Sequence, residues 1–573
     1  MRLVVVGGVA GGMSAAARAR RLDESAEIIV LERGEYVSFA NCGLPYFVGG
    51  EITKESKLLV QTPESLAEAL NLDVRVLHDV VGLDATAKTV TVNVGGEMQT
   101  IAYGALVLSP GATAIRPPLP GLGSPRVQTL RTVGDAVAMR EAVLDGANNA
   151  VVLGAGFIGI EAAEALAMRG ITTTLVELAP HVLPPLETEM AYMASEELRR
   201  LGIDVREGVA ASEVISGEAS DTVVLADGTR LDADIIVLSV GVRPDTLAFD
   251  AAGVTCERGA ICVDEHGRTN LPDVYAVGDA VMSVDAITGV RRPVALAGPA
   301  NRAGRLVADA IFRPETARPM PAPIGTAVVR IGELTAATTG ANRASLDAAG
   351  IEYHTLHLHP NNHAGYFPGA STIDLLVHFR AGDGLLLGAQ AVGHKGVAKR
   401  IDVLATAIRG GLGVSDLIDL DLAYAPPYGS AKDPVNMAGM AGENVLNGTL
   451  KLWYADDLES VMADHLVLDV RSHGEHAAEH VPGCMLVPHT QVRDRLEEIR
   501  TAAAGRPVAV MCAAGVRSYL AHRILDQEGF DSSMLSGGMR TLMATLGDRA
   551  AAVLNESGRT LTGDRKKAVS HGR

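Results

Sequence analysis

One pattern, met twice, limits what this chain can fold into. Leu3–Val6 reads as a continuously apolar strand running into Gly7-Gly8-Val9-Ala10-Gly11-Gly12; a helix over Ser14–Leu22 follows, then a strand over Ile28–Leu31 that closes on Glu32. The order returns at Ala150–Leu153, Gly154-Ala155-Gly156-Phe157-Ile158-Gly159, Ile160–Arg169 and Thr173–Val176, which closes on Glu177. Strands without polar alternation belong inside a parallel sheet. A glycine-rich turn that opens a helix brings backbone amides and the positive end of the helix dipole against a pyrophosphate. A carboxylate ending the next strand is placed for ribose hydroxyls. The expected fold class is therefore α/β, with two Rossmann-type nucleotide-binding domains.

The two turns differ. The second is a full GxGxxG, whereas Val9 stands where the middle glycine of the first belongs. Gly7, Gly8, Gly11, Gly12, Glu32 and Arg33 are the expected contacts of one nucleotide. Gly154, Gly156, Phe157, Gly159 and Glu177 are those of the other. Glu177 would accept two ribose hydroxyls and repel a 2′-phosphate, and no arginine follows it (Leu178-Ala179-Pro180-His181). NADH is expected over NADPH, which stays open.

At 573 residues the chain is too long for one core. Its net charge of -18 argues against a nucleic-acid partner. No apolar run reaches membrane-spanning length, and MRLVVVGG enters the first strand without a signal-type apolar block, so neither membrane nor export is expected. The five cysteines, an odd and low number, imply no disulfide framework and fit a reducing cytoplasm. No metal site is expected. From about Pro321 strands at Ala327–Ile331, Tyr353–His359, Ile373–Phe379 and Gly388–Ala391 precede a helix at Val397–Ile408, an α+β pattern. After Asn447 a short linker leads to a compact α/β unit with Leu466–Val470, Val508–Met511, a helix from Arg517 and Ser533–Leu535.

Two further stretches carry a resemblance. Thr269–Asp279 (TNLPDVYAVGD) and Ser109-Pro110-Gly111-Ala112, with the two turns, resemble the pyridine nucleotide–disulfide oxidoreductase family over about residues 1–445. The resemblance implies FAD in the first domain, with Gly278 and Asp279 at its ribitol and Ser109 and Gly111 in the crossing turn. Ser38-Phe39-Ala40-Asn41-Cys42-Gly43 holds one cysteine where dithiol members carry two, and is similar to the single-cysteine branch: coenzyme A-disulfide reductases, NADH oxidases and NADH peroxidases. A lone thiol must cycle through a mixed disulfide, a persulfide or a sulfenic acid. If Cys42 starts a helix beside an oxidised flavin, its thiolate is favoured. The first turn lacks the histidine of the peroxide-handling members.

Tyr366 and Tyr424 resemble the tyrosine motifs of the coenzyme A-disulfide reductases, which reach the partner subunit's cysteine; a homodimer is implied. Ser14, Arg18, Arg21, Ser38, Asn41 and Lys432 match coenzyme A contacts, so coenzyme A is a further expected ligand. Leu468–Arg471, Glu475 and Cys512-Ala513-Ala514-Gly515-Val516-Arg517-Ser518 resemble a rhodanese domain. There Cys512 would hold sulfane sulfur in a nest of amides beside the fixed charge of Arg517. The expected domains are FAD-binding (1–115 and 245–320), NADH-binding (116–244), α+β dimerisation (321–447) and rhodanese-like (454–557), with a flexible tail over 558–573. The expected reaction is NADH-dependent reduction of a small disulfide, persulfide or polysulfide. An NADH oxidase or peroxidase, or a rhodanese domain that only docks partners, are the alternatives.

Overall fold

The computed structural model describes residues 1–554; the tail expected over 558–573, and the last three residues of the domain expected at 454–557, lie outside them. The chain divides into two compact units, one of Met1–Leu186 with Ala194–Ile351, the other of Glu187–Met193 with the chain from Glu352 on.

The first unit holds two parallel five-stranded sheets. One runs Val274–Ala276, Ala105–Leu108, Arg2–Val6, Glu27–Leu31, Asp73–Arg75, with Val4 opposite both Ile29 and Leu106. Both faces are apolar: Leu3, Val5, Ile28 and Val30 pack on one side, Val4, Val6, Ile29 and Leu31 on the other. The second runs Asp204–Arg206, Thr172–Val176, Asn149–Leu153, Ile235–Leu238, Val127–Gln128. Each sheet has a three-stranded antiparallel companion, Asp79–Asp84, Thr89–Val94, Glu97–Ala102 and Ala211–Ile215, Asp221–Leu225, Arg230–Ala233.

The helices after the glycine turns begin earlier than the pattern predicts, at Ala10–Leu22 and Phe157–Met168. The last glycine of each turn already lies in the first helical turn. A Cβ there would come 1.9 Å from the carbonyl oxygen of Gly7 at Gly12, and of Gly154 at Gly159. Apolar periodicity marks only the buried stretch of such a helix; its glycine-bearing start carries no such signal.

The second unit joins the part of the domain expected at 321–447 that starts at Glu352, the linker and the domain expected at 454–557; Ala327–Ile331 falls in the first unit. Strands Tyr353–Leu358, Ile373–Arg380 and Leu386–Gly393 are antiparallel, with helix Val397–Gly410 following. Helix Pro434–Leu446 precedes a parallel sheet ordered Leu452–Trp453, Ser532–Leu535, Val508–Met511, Leu466–Asp469, Met485–Leu486. Tyr454 donates to the Thr355 carbonyl at 3.1 Å, and Arg540 grips both oxygens of Asp374 at 2.5 and 2.7 Å. Buried His357 meets Ser536 at 2.8 Å. Strands of two residues such as Met485–Leu486 are too short to announce themselves.

Candidate active site

A cleft of about 2250 Å³ in the first unit is lined by parts of both glycine turns, by Cys42 and by Ser109, Gly111, Gly278 and Asp279. The two acids are held alike. Glu32 accepts the amides of Gly8 and Gly34 at 2.7 and 2.8 Å; Glu177 accepts those of Ala155 and Ala179 at 2.6 and 2.8 Å. Each oxygen keeps a second lone-pair direction, which suits a ribose hydroxyl donor. Gly156 lines the cleft at an ordinary φ of -73°, and an added Cβ would meet nothing of the protein within 4 Å. Protein packing does not demand glycine there, whereas a pyrophosphate against the helix start does. FAD and a nicotinamide nucleotide therefore fit the residues present. Arg33, expected toward the nucleotide, pairs with Asp245 and donates to the Pro110 carbonyl at 2.9 Å.

Asp279 is mostly buried, and burial raises its carboxyl against the opposing pull of Arg131; burial likewise lowers Arg131. Arg131 belongs to no motif, so the sequence gives no signal for it.

Cys42 sits in a short 3₁₀ turn, Asn41–Gly43, ahead of helix Leu44–Val48, and is open to solvent on the cleft. The segment is tied to the first glycine turn where Ser38, at a left-handed φ of 49°, donates its amide to the Gly8 carbonyl at 2.8 Å. The thiolate preference expected beside an oxidised flavin does not come from the protein's own groups. Burial by the cleft walls, and then the carboxylate of Glu161, push the Cys42 thiol up, and a five-residue helix offers little dipole against them. Glu161 is itself raised by burial and accepts the Tyr46 phenol at 3.2 Å; burial and this carboxylate push Tyr46 up to about 12. Sequence reading passed over Glu161, although an acid among Ile160, Ala162 and Ala163 of a buried helix start was a signal.

Ser14, Arg18, Arg21, Ser38 and Asn41 line the same cleft. Arg18, however, is committed to Asp309 at 2.7 Å, and Ser14 donates to Asn301 at 2.6 Å, both on helix Ala297–Phe312. The expected basic face is thus partly neutralised by helix packing that sequence spacing does not reveal. Lys432 lies in the other unit, in a pocket of about 380 Å³ with His359, Asn361 and His363.

In that unit Tyr366 and Tyr424 are 77% and 48% exposed, and their phenols meet at 3.2 Å, a bond that raises Tyr366. Their loops are fastened underneath. Arg400, 1% exposed, donates to Asp433 at 2.7 Å and to the Asn362 carbonyl at 2.9 Å, and Ala364 donates to the Gly429 carbonyl at 2.9 Å.

Cys512 directly follows strand Val508–Met511 and is buried. Its sulfur receives the Gly515 amide at 3.2 Å and meets the Ser518 hydroxyl at 3.3 Å. Gly515 has φ 101°, which only glycine adopts at ease. Arg517, expected as the fixed charge beside the sulfur, holds Glu475 with both its terminal nitrogens, at 2.8 and 2.6 Å. Asp469, His476 and Cys484 bring ligand atoms within 4.8 Å of one another, but both oxygens of Asp469 already accept from Arg471, so a cation there would face a fixed guanidinium.

Three family models match: pyridine nucleotide-disulphide oxidoreductase over residues 1–304, its dimerisation domain over 326–434, and a rhodanese-like domain over 453–544. The coenzyme A disulfide reductase of Staphylococcus haemolyticus is 34% identical over 442 residues, 76% of this chain and 98% of its own. The crystal structure of reduced Bacillus anthracis CoADR-RHD superposes with a TM-score of 0.93 at 40% identity, covering 96% of this chain and 98% of that one. For a NAD-dependent persulfide reductase from A. fulgidus the values are 0.88, 35%, 94% and 100%. With more than half its length matched by the first model, the chain belongs to the pyridine nucleotide-disulphide oxidoreductases, enzymes that use FAD and NAD(H), and carries a rhodanese-like domain beyond its dimerisation domain.

Proposed function

We propose that the chain uses NADH to reduce the S–S bond of small persulfides, polysulfides or coenzyme A disulfide at Cys42, while Cys512 handles sulfane sulfur. The observation that carries this reading is the cleft wall: Cys42 is the one cysteine among its lining residues. With no second thiol to close an internal disulfide, the substrate itself must supply the other sulfur.

The FAD-binding part is assigned to 1–115 with 245–320, the NADH-binding part to 116–244, dimerisation to 321–447 and sulfur handling to 454–557. Bound FAD supplies a two-electron carrier between dihydronicotinamide and sulfur. Cys42, as thiolate, attacks the inner sulfur of R–S–S–H. The S–S bond breaks, its electron pair leaves on HS⁻, and Cys42 holds R as a mixed disulfide. Two electrons and one proton then release R–SH and restore the Cys42 thiolate. Tyr366 and Tyr424 donate to the departing sulfur, in a homodimer across to the Cys42 of the partner. The dimerisation-domain match supports that assembly. In the first unit Arg21, Ser38 and Asn41 offer donors for coenzyme A phosphates, with Arg18 shared with Asp309 and Ser14 with Asn301; Lys432, in its own pocket, is a separate candidate contact.

Among the described residues no helix is long and apolar enough to cross a membrane. All five cysteines are free, which supports a reducing, cytoplasmic setting. The test is a steady-state panel with NADH: an organic persulfide, a polysulfide, coenzyme A disulfide and oxygen. At least one sulfur acceptor is expected to exceed oxygen by orders of magnitude; oxygen or peroxide turning over as fast as every sulfur acceptor would refute the reading.

A further inference from the structure

We infer that the Cys512 loop is built to take sulfur from donors carrying at most one negative charge, and that Glu475 sets this selectivity by masking Arg517. The inference rests on the reading of Cys512 as a sulfur carrier.

The loop from Ala513 to Val516 has no charged side chain, so Arg517 is its only cation. Two more arginines stand close to the loop. Arg471 follows Val470, whose amide bonds the Met511 carbonyl, and Arg540 donates its own amide to the Ala513 carbonyl at 3.0 Å. Each of the three is matched by its own carboxylate: Arg471 by Asp469 at 2.7 Å, Arg517 by Glu475 at 2.6 Å, and Arg540 by Asp374 at 2.5 Å. The Glu475 pair is rigid at its acidic end, because the Ser472 amide and hydroxyl also donate to Glu475, at 3.0 and 2.7 Å. Hydrogen bonds from Arg517 hold the Glu475 carboxyl far below its ordinary range, so the mask stays on at any working pH. The rim is apolar: Val516 and Leu520, four residues apart on helix Val516–Gln527, are 65% and 50% exposed.

What remains for an incoming sulfur is the backbone amides of the loop and helix start, among them Gly515, the Ser518 hydroxyl shared with the Gly515 carbonyl, and an apolar rim. That suits R–S–SH, whose outer sulfur the Cys512 thiolate attacks. The S–S bond breaks, its electron pair leaves on R–S⁻, and Cys512 becomes Cys–S–SH. A dianion such as thiosulfate would undergo the same displacement, releasing sulfite. It would bring two charges to a thiolate with no unmatched arginine among the three to receive them, and charge-matched contacts decide such discrimination.

The test uses the full-length Cys42→Ser chain, so that transfer at Cys512 is read alone. N-acetylcysteamine persulfide and thiosulfate are compared as donors, with thiocyanate formed from cyanide as the readout. The parent should favour the persulfide in kcat/KM by about tenfold or more. Glu475→Gln, which keeps hydrogen-bonding oxygen and loses the charge, should shift the thiosulfate-to-persulfide ratio upward by about tenfold, the scale of one charge-assisted contact. Added salt should erase that gain. Thiosulfate used as well as the persulfide by the parent would overturn the inference. So would a Glu475→Gln variant that loses both donors in equal proportion, since the pair would then only brace the loop. If Glu475→Gln does not fold, the parent's donor ratio decides alone. NADH oxidation by the unsubstituted chain with the same persulfide is measured separately. Its failure would sink the reductase reading, and its success with no charge selectivity would sink only this inference.

Discussion

Replacing Arg400 by methionine should cost the second unit about 3–5 kcal/mol, because it strands a buried charge. Asp433 accepts from Arg400 at 2.7 and 3.3 Å; its remaining partners are the Val435 amide at 3.1 Å and Lys399 at 3.9 Å. Methionine fills the space of the aliphatic stem, so the loss is electrostatic rather than a cavity. The Asn362 carbonyl also loses its guanidinium donor. The double variant Arg400→Met/Asp433→Asn removes the stranded charge yet keeps an oxygen to cap helix Pro434–Leu446, so its cost should fall to about 1–2 kcal/mol. The assay is urea unfolding followed by fluorescence of Trp453, the single tryptophan, which lies in the same compact unit. Turnover should fall with the single variant, since Arg400 joins the Asn362 end of the Tyr366 loop to the Asp433 end of the Tyr424 loop. A single-variant loss below about 1 kcal/mol, or a double variant no better than the single, would refute the argument that this charge pair is what fastens the two loops.

Cys42→Ser should keep bound FAD, read from its absorbance, and lose NADH-dependent sulfur reduction by several orders of magnitude; near-normal persulfide turnover would remove Cys42 from the mechanism. Glu177→Gln keeps an oxygen for the Ala155 and Ala179 amides but drops the charge, so the NADH-to-NADPH ratio of kcat/KM should narrow. An unchanged ratio would place the selectivity elsewhere. Burial and the Glu161 carboxylate both raise the Cys42 thiol, so Glu161→Gln should move the pH profile of iodoacetamide alkylation to lower pH and speed alkylation below the midpoint. A shift to higher pH would show that the carboxylate does not act on the thiol by its charge.

Much of the site was legible because its residues are backbone requirements written as side chains. Glycine at the two turns, the acid that closes each second strand and the lone Cys42 sit at fixed offsets from apolar strands, and local geometry carries such offsets. The domain seam was not legible. Asp374 and Arg540 are 166 positions apart, and nothing near either residue announces the other. The same holds for Arg131 beside Asp279 and for Asp309 on Arg18.

The sequence by itself determined the two nucleotide-binding folds, the number of thiols available to the chemistry and the residue types at each reactive position. Tertiary structure decided the charge state of the surroundings. Arg18 and Arg33 read as ligand contacts and Arg517 as the fixed charge beside Cys512, and each is matched by an acid distant in the chain, Asp309, Asp245 and Glu475. The Cys42 thiol, expected as a thiolate at a helix start beside an oxidised flavin, has burial and Glu161 acting against it among the protein's own groups. The physical reason is common to all four. Backbone conformation follows from neighbours in sequence, whereas the field at a charged or ionisable group follows from neighbours in space, and only folding chooses those.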